Sequence, residues 1–149
     1  MTDRMSHRIL VPVLLMFCAT PAASDERQLV EMPAMMQEHM LGNMRDHLRA
    51  LEEILAALAT GDSGEAGRIA EARLGLSSLD DHGAAHIAKF IPPEMAAIGT
   101  SMHQAASRFV TIAADADLTE GAEGTKAVYG ALGAITAACN ACHAGYRVR

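Results

Sequence analysis

Apolar residues recur at helical spacing along most of the chain. From Pro33 to Thr60 the interval alternates between three and four residues, which predicts a long helix with the buried seam Leu41, Met44, Leu48, Leu51, Leu55 and Leu58. The run Gly61-Asp62-Ser63-Gly64 interrupts this pattern. Asp62 and Ser63 are candidate caps for a second helix, whose predicted seam is Ile69, Ala72, Leu76 and Leu79.

Two further helices are predicted in the second half of the chain. Residues 80–91 form a connection with one short helical turn, and Pro92-Pro93-Glu94 starts the third helix, with the seam Met95, Ile98, Met102, Ala105, Phe109 and Ile112. A turn follows over 116–124, and Thr119 or Thr125 is the predicted cap of the fourth helix. The predicted seam of this helix is Val128, Leu132, Ile135, Cys139, Cys142 and Tyr146. Four amphipathic helices with short loops predict an all-α, antiparallel up-down-up-down four-helix bundle.

The last predicted helix contains the run Cys139-Asn140-Ala141-Cys142-His143, which is typical of a covalent attachment site for c-type haem. Each thiol can form a thioether with the cofactor, and the histidine can supply an axial nitrogen to the iron. On a helix the three side chains project from one face. Zinc sites and thiol redox enzymes also use Cys-x-x-Cys. However, a structural zinc site takes four ligands, and a thioredoxin-like motif follows a strand.

The N-terminal 23 residues have the organisation of a signal peptide. Arg4, His7 and Arg8 precede an apolar run over 9–19, and Thr20-Pro21-Ala22-Ala23 supplies small residues at the exit. The apolar run is too short to cross a bilayer, which takes about 20 residues. We therefore predict a signal peptide at 1–23 and a single exported, periplasmic domain at 24–149. Export agrees with the haem motif, since bacteria attach c-type haem outside the cytoplasm.

Composition narrows the classes of function. Removal of 1–23 takes away one acidic and two basic residues, so the formal charge changes from −6 to −7, which argues against a nucleic-acid partner. With no Trp, two Tyr and three Phe, the core consists mainly of aliphatic residues and Met, and a flat cofactor would add bulk. The sequence contains no nucleophile elbow, phosphate loop or paired-carboxylate site. We predict neither an enzyme nor, after cleavage, a membrane protein.

These features together resemble the cytochrome c prime family, the class II c-type cytochromes, over residues 33–149. The most specific part is the run Cys139 to His143 followed by Tyr146-Arg147. The resemblance implies one covalent haem c, with Cys139 and Cys142 as thioether residues and His143 as the proximal ligand of the iron. It also implies that Arg147, one helical turn after His143, lies near the proximal side of the haem. The general alternative is that Arg147 stabilises the end of the helix through the helix dipole.

The distal side of the haem decides between two functions. In the family the distal residue comes from the first helix and is Met or an apolar residue. Met44, three turns after Pro33, is our first choice as sixth iron ligand, with Met40 as the other methionine candidate and His47 as the histidine rival. Alignment of Met44-Arg45-Asp46-His47 with the family's Met and His would instead place Leu41 over the iron. Methionine ligation predicts an electron carrier that serves redox partner proteins. Leu41 would leave an open site for nitric oxide or carbon monoxide. A homodimer is common in the family.

The remaining histidines are candidates for metal binding, and the glycines inside predicted helices are candidates for close packing. His82 and His86 are spaced like a metal-binding pair on a helix but are predicted to be solvated, and His39 and His103 fall outside the predicted seams. Glycines 42, 99, 130 and 133 lie inside predicted helices, where each is up to about 1 kcal/mol less favourable than Ala. They either allow close approach of the haem or of a neighbouring backbone, or reflect a general richness in small residues.

Overall fold

The computed structural model describes residues 24–119 and 121–149, so the predicted signal peptide at 1–23 lies outside the described residues. Its elements are two short strands and five helices: β1 (Gln28–Val30), α1 (Ala34–Ala59), α2 (Ser63–Leu74), α3 (Ala84–Ile87), α4 (Pro93–Ala116), α5 (Ala122–Gly145) and β2 (Tyr146–Val148). Among the described helices, none is both long enough and apolar enough to span a membrane.

The protein is a bundle of packed helices, and the all-α prediction is confirmed. Helix α1 packs against α2, α2 against α4, and α4 against α5. The main core lies between these helices and is built from small and aliphatic side chains around one aromatic ring, that of Phe109, which is fully buried. Ile54 and Ile135 bring α1 and α5 into the same core. Burial of this apolar surface is the main force that holds the bundle together.

The predicted seam of α1 is correct at Met44, Leu51 and Leu58, which are partly buried and pack against the hydrophobic clusters, and wrong at its other three positions. The buried positions are Met40, His47, Ala50 and Ile54. Leu41, Leu48 and Leu55, which the sequence pattern placed in the core, are 40%, 70% and 49% exposed. The helix is apolar on two adjacent strips, and the sequence pattern favours the strip with more leucines. The chain instead buries the strip that contains small and polar residues, and Ala50 and Ile54 of this strip pack in the same core as residues of α2.

Helix α2 is shorter than predicted and turns a different face inward. The Asp62 side chain accepts a hydrogen bond of 2.8 Å from the backbone N–H of Glu65, so the predicted N-cap is confirmed. The helix ends at Leu74, and a 3-10 turn occupies Leu76–Ser78. Leu76 is therefore 45% exposed and cannot continue the predicted seam. The buried residues of the helix are Ala66, Gly67, Ala70 and Leu74.

The predictions for α4 and α5 are largely confirmed, apart from the ends of α5. Helix α4 begins at Pro93, and the connection before it contains the single short turn α3, both as predicted. Neither threonine caps α5. Its cap residue is Gly121, whose φ of +78° favours glycine, while the Thr119 hydroxyl donates to the carbonyl of Asp115. The helix ends at Gly145, so Tyr146 does not extend its buried line.

A two-stranded parallel sheet, absent from the predictions, joins the two ends of the described chain. Gln28 is opposite Tyr146, and Val30 is opposite Val148. Val30 is 2% exposed and packs beside the first half of α1. The sheet therefore fixes the N-terminal segment next to the end of α5, where the cysteine motif lies.

Candidate functional site

The cysteine motif occupies the last two turns of α5. Cys139 and Cys142 are free thiols and half-buried, whereas His143 is exposed. Burial raises the pKa of both thiols, and for Cys142 the neighbouring Cys139 adds to this effect. Both side chains are therefore neutral thiols at pH 7, one helical turn apart, next to an imidazole that is accessible from solvent.

The two thiols lie at a boundary between two apolar regions. Cys139 packs against the main core. Cys142 packs against a second group, which we call the methionine cluster. Its buried members are Val30, Met40, Ile87 and Met95, and its partly buried members are Met32, Met36, Met44, Ile91, Cys142, Tyr146 and Val148. Five of these eleven side chains are methionines, which are flexible and adapt their packing to the shape of a neighbour.

The structure separates the four candidates for the distal position on α1. The ring of His47 lies beside the rings of His82 and His103. Met40, which the predicted seam leaves out, is 9% exposed and is part of the methionine cluster. Met44 is partly buried and packs against the same cluster as Cys142. Leu41 is 40% exposed and does not belong to this cluster. In the described part of the chain the backbones of α1 and α5 are not in extended contact, so the two helices approach each other through these side chains.

Arg147 lies in a different setting from the predicted one. It is on β2, beyond the end of α5, so it is not one helical turn after His143 and does not stabilise the end of that helix. Its Nε donates to the carbonyl of Arg27 at 3.3 Å and lies 3.6 Å from Oδ2 of Asp25. Arg27 in turn donates to the carbonyl of His143 at 3.3 Å and forms an ion pair with Asp25. Hydrogen bonds from Arg27 hold the pKa of Asp25 at about 2.

Three histidines that the sequence pattern did not group together lie side by side between α1, α4 and the connection that precedes α4. The rings of His47, His82 and His103 have centroid separations of 4.7 Å, 5.6 Å and 6.2 Å, and we call this group the histidine triad. His47 and His103 are each 9% exposed, and His82 is partly buried. The prediction that His82 is solvated is therefore wrong, as is the prediction that His103 lies outside the core.

Neither a metal-binding cluster nor close backbone packing at the predicted glycines is present in the described residues. Within residues 24–119 and 121–149, no group of three or more His, Cys, Asp or Glu side chains is arranged to hold a metal ion. Glycines 42, 99, 130 and 133 have no atom within 4 Å of the place where a Cβ would lie, so no neighbouring protein backbone approaches them. Close backbone approach does occur at Gly124, where a Cβ would lie 2.7 Å from the Ala116 carbonyl oxygen, and this position was not singled out in the sequence.

Comparison of the chain with protein-family models, with curated proteins and with solved structures found no match. Two neutral thiols one turn apart, an exposed imidazole beside them and an apolar cluster rich in adaptable side chains are the groups that a covalently attached haem requires. The residues present fit this cofactor.

Proposed function

We propose that this protein is a periplasmic c-type cytochrome that carries electrons between redox partner proteins. Cys139 and Cys142 would hold one haem c covalently, and His143 would be an axial ligand of its iron. The observation that carries the proposal is the position of the two free thiols, at the boundary between the main core and the methionine cluster, with His143 directly beside them. The haem supplies a one-electron redox centre when bound.

The chain's own residues would provide binding and orientation. The thioether bonds would fix the cofactor to the end of α5, and the methionine cluster would surround its apolar face. Because methionine side chains have several rotatable bonds, this cluster can adapt its packing to a flat ring. The sheet of β1 and β2 would hold the residues that follow His143 in place through the bonds of Arg27 and Arg147.

The proposal includes a sixth ligand from α1. Met44 and Met40 both belong to the methionine cluster that contains Cys142, and this shared position supports either thioether as the proposed ligand. Leu41, the residue that would leave an open site for nitric oxide or carbon monoxide, lies outside this cluster. The described residues therefore support the electron carrier, and the gas-binding alternative stays a prediction. The up-down-up-down arrangement of the bundle, export through 1–23 and formation of a homodimer belong to the same proposal.

The decisive experiment is expression together with a c-type haem maturation system, followed by haem staining after denaturing electrophoresis. The wild-type chain should retain haem, Cys139→Ala and Cys142→Ala should each retain less, and the double variant should retain none. Asn140→Ala, which changes an exposed residue between the two cysteines, is the matched control and should stain like the wild type. Absence of covalent haem from the wild-type chain would overturn the proposal.

A further inference from the structure

The histidine triad connects three separate elements of the fold. His47 lies on α1, His103 lies on α4, and His82 lies in the connection between α2 and α4, residues 75–92. The closest pair is His47 and His82, with ring centroids 4.7 Å apart. A titratable ring from the connection is thus enclosed between titratable rings from two long helices.

Hydrogen bonds assign protons to two of the rings. Nδ1 of His103 lies 2.8 Å from the carbonyl oxygen of Leu74 and 3.2 Å from that of Gly75, and since a carbonyl only accepts, Nδ1 carries the proton. The Ser78 hydroxyl donates to the same Gly75 carbonyl at 2.7 Å, so its oxygen is free to accept from Nδ1 of His82 at 3.4 Å. Each ring therefore already uses its one proton in the neutral form.

His47 has no such partner. Its Nε2 is fully buried and makes no hydrogen bond to any described residue. Burial first, and then the neighbouring rings of His82 and His103, lower the pKa of His47 to about 4. Burial and His103 also lower the pKa of His82. A proton added to the closed triad would lie next to other rings in a poorly solvated place.

The charged groups around the triad do not cancel the lowering of the pKa values of His47 and His82. Asp46 raises the pKa of both His47 and His82, and Asp81 also raises that of His82. However, Asp46 is paired with Arg73, which itself lowers the pKa of His47. His39 is a further group that lowers the pKa of His82. Burial of His47 and His82 therefore disfavours a positive charge on either ring while the triad is closed.

The His82 segment also anchors the connection to α1. The carbonyl oxygen of His82 accepts from Nε2 of His39 at 2.8 Å and from Nδ2 of Asn43 at 2.9 Å. The next residue, Gly83, has φ of +62°, which favours glycine, and a Cβ there would lie 2.9 Å from the His39 ring. Further along, Ile87 is 4% exposed and packs into the methionine cluster. Movement of His82 would therefore loosen the whole connection.

We propose that the histidine triad is an acid-sensitive latch that holds the connection 75–92 against α1 and α4 while its rings are neutral and releases it on protonation. Released rings take up protons near pH 6.5, the ordinary pKa of histidine, whereas in the closed triad burial lowers the pKa of His47 to about 4. The released state therefore binds more protons between these values. The latch is fully closed above about pH 6.5 and weakens as the pH falls from there towards 4. The proposal does not rest on haem attachment.

The test is hydrogen exchange of the purified full-length protein, measured by mass spectrometry from pH 7.5 to 4.5 and corrected for the intrinsic effect of pH on exchange. Protection of 75–92 should fall on the order of 10- to 100-fold over this range, because the shift of His47 alone spans more than two pH units. Protection of the buried part of α5, residues 128–135, which contains no triad residue, should stay nearly constant.

Two triad variants and one control make the test specific. His47→Leu and His82→Gln should each reduce the pH dependence of protection in the connection. His86→Gln changes an exposed histidine on the same connection and should leave it unchanged. If a triad variant does not fold, NMR titration of the wild-type imidazoles replaces it, and at least one ring of the triad should titrate well below pH 6.5. Constant protection of 75–92 from pH 7.5 to 4.5, or ordinary titration of all three rings, would overturn the latch.

Discussion

Two glycines of the same helix should respond in opposite ways when each is replaced by alanine. In Gly133→Ala the new methyl group would meet no atom within 4 Å. The substitution therefore changes little except the conformational freedom of the backbone, and Ala is favoured over Gly in a helix by about 1 kcal/mol. For a chain of this length the melting temperature should rise by roughly 4 °C.

In Gly124→Ala the same gain in helix propensity is opposed by a backbone clash. The methyl carbon would lie 2.7 Å from the carbonyl oxygen and 3.1 Å from the Cα of Ala116, and neither atom belongs to a movable side chain. The first turn of α5 would have to shift away from the end of α4. Forced overpacking of this kind costs about 1 to 3 kcal/mol, which exceeds the gain, so the variant should be less stable than the wild type.

Urea unfolding followed by the helical circular dichroism signal provides the measurement for both variants. Gly130→Ala is a second member of the stabilised class, since it also has open space around it. A loss of stability in both Gly130→Ala and Gly133→Ala would refute the reasoning, because it would mean that another molecule lies against this face of α5.

Three further outcomes are expected. Asp62→Ala should lower the free energy of unfolding by about 1 kcal/mol in urea titrations, because it removes the N-cap of α2. Arg73→Met should lower the free energy of unfolding by about 1 kcal/mol, because the partly exposed ion pairs to Asp46 and Glu53 are lost. This difference from the wild type should become smaller in high salt, which screens the ion pairs. In the haem-loaded protein Met44→Ala should convert low-spin iron to high-spin iron in the absorption spectrum, and an unchanged spectrum would exclude Met44 as the ligand.

The long helices could be predicted from the sequence because each extends over many turns. The caps and prolines at Asp62 and Pro93 defined two boundaries correctly. The face of α1 could not be assigned, because Met40 and Leu41 begin two apolar strips of equal period, and the choice between them depends on where α2 lies. Contacts with other helices determine which face of α1 is buried. The buried strip includes His47, which no hydrophobic pattern would select.

The candidate site was predictable in part for similar reasons. The run Cys139 to His143 is local, so its spacing is visible in the sequence. The strands are only three residues long, too short for an alternating pattern to appear, and their pairing joins distant segments. The histidine triad depends on the path of the connection, which brings His82 between two helices, and no spacing along the chain encodes that path.

The pairing of β1 with β2 has a consequence for the order of folding. The bond between Arg147 and Arg27 joins residues 120 positions apart, close to the largest separation that the described chain allows. Closing so long a loop costs about 2 kcal/mol more entropy than closing a loop of ten residues, so local helix contacts should form first. The strands should therefore pair late, and Cys142, which packs in the same cluster as Tyr146 and Val148 of β2, should become protected after Cys139, which packs against the helical core. Pulsed thiol labelling during refolding would contradict this order if Cys142 became protected before the helices formed.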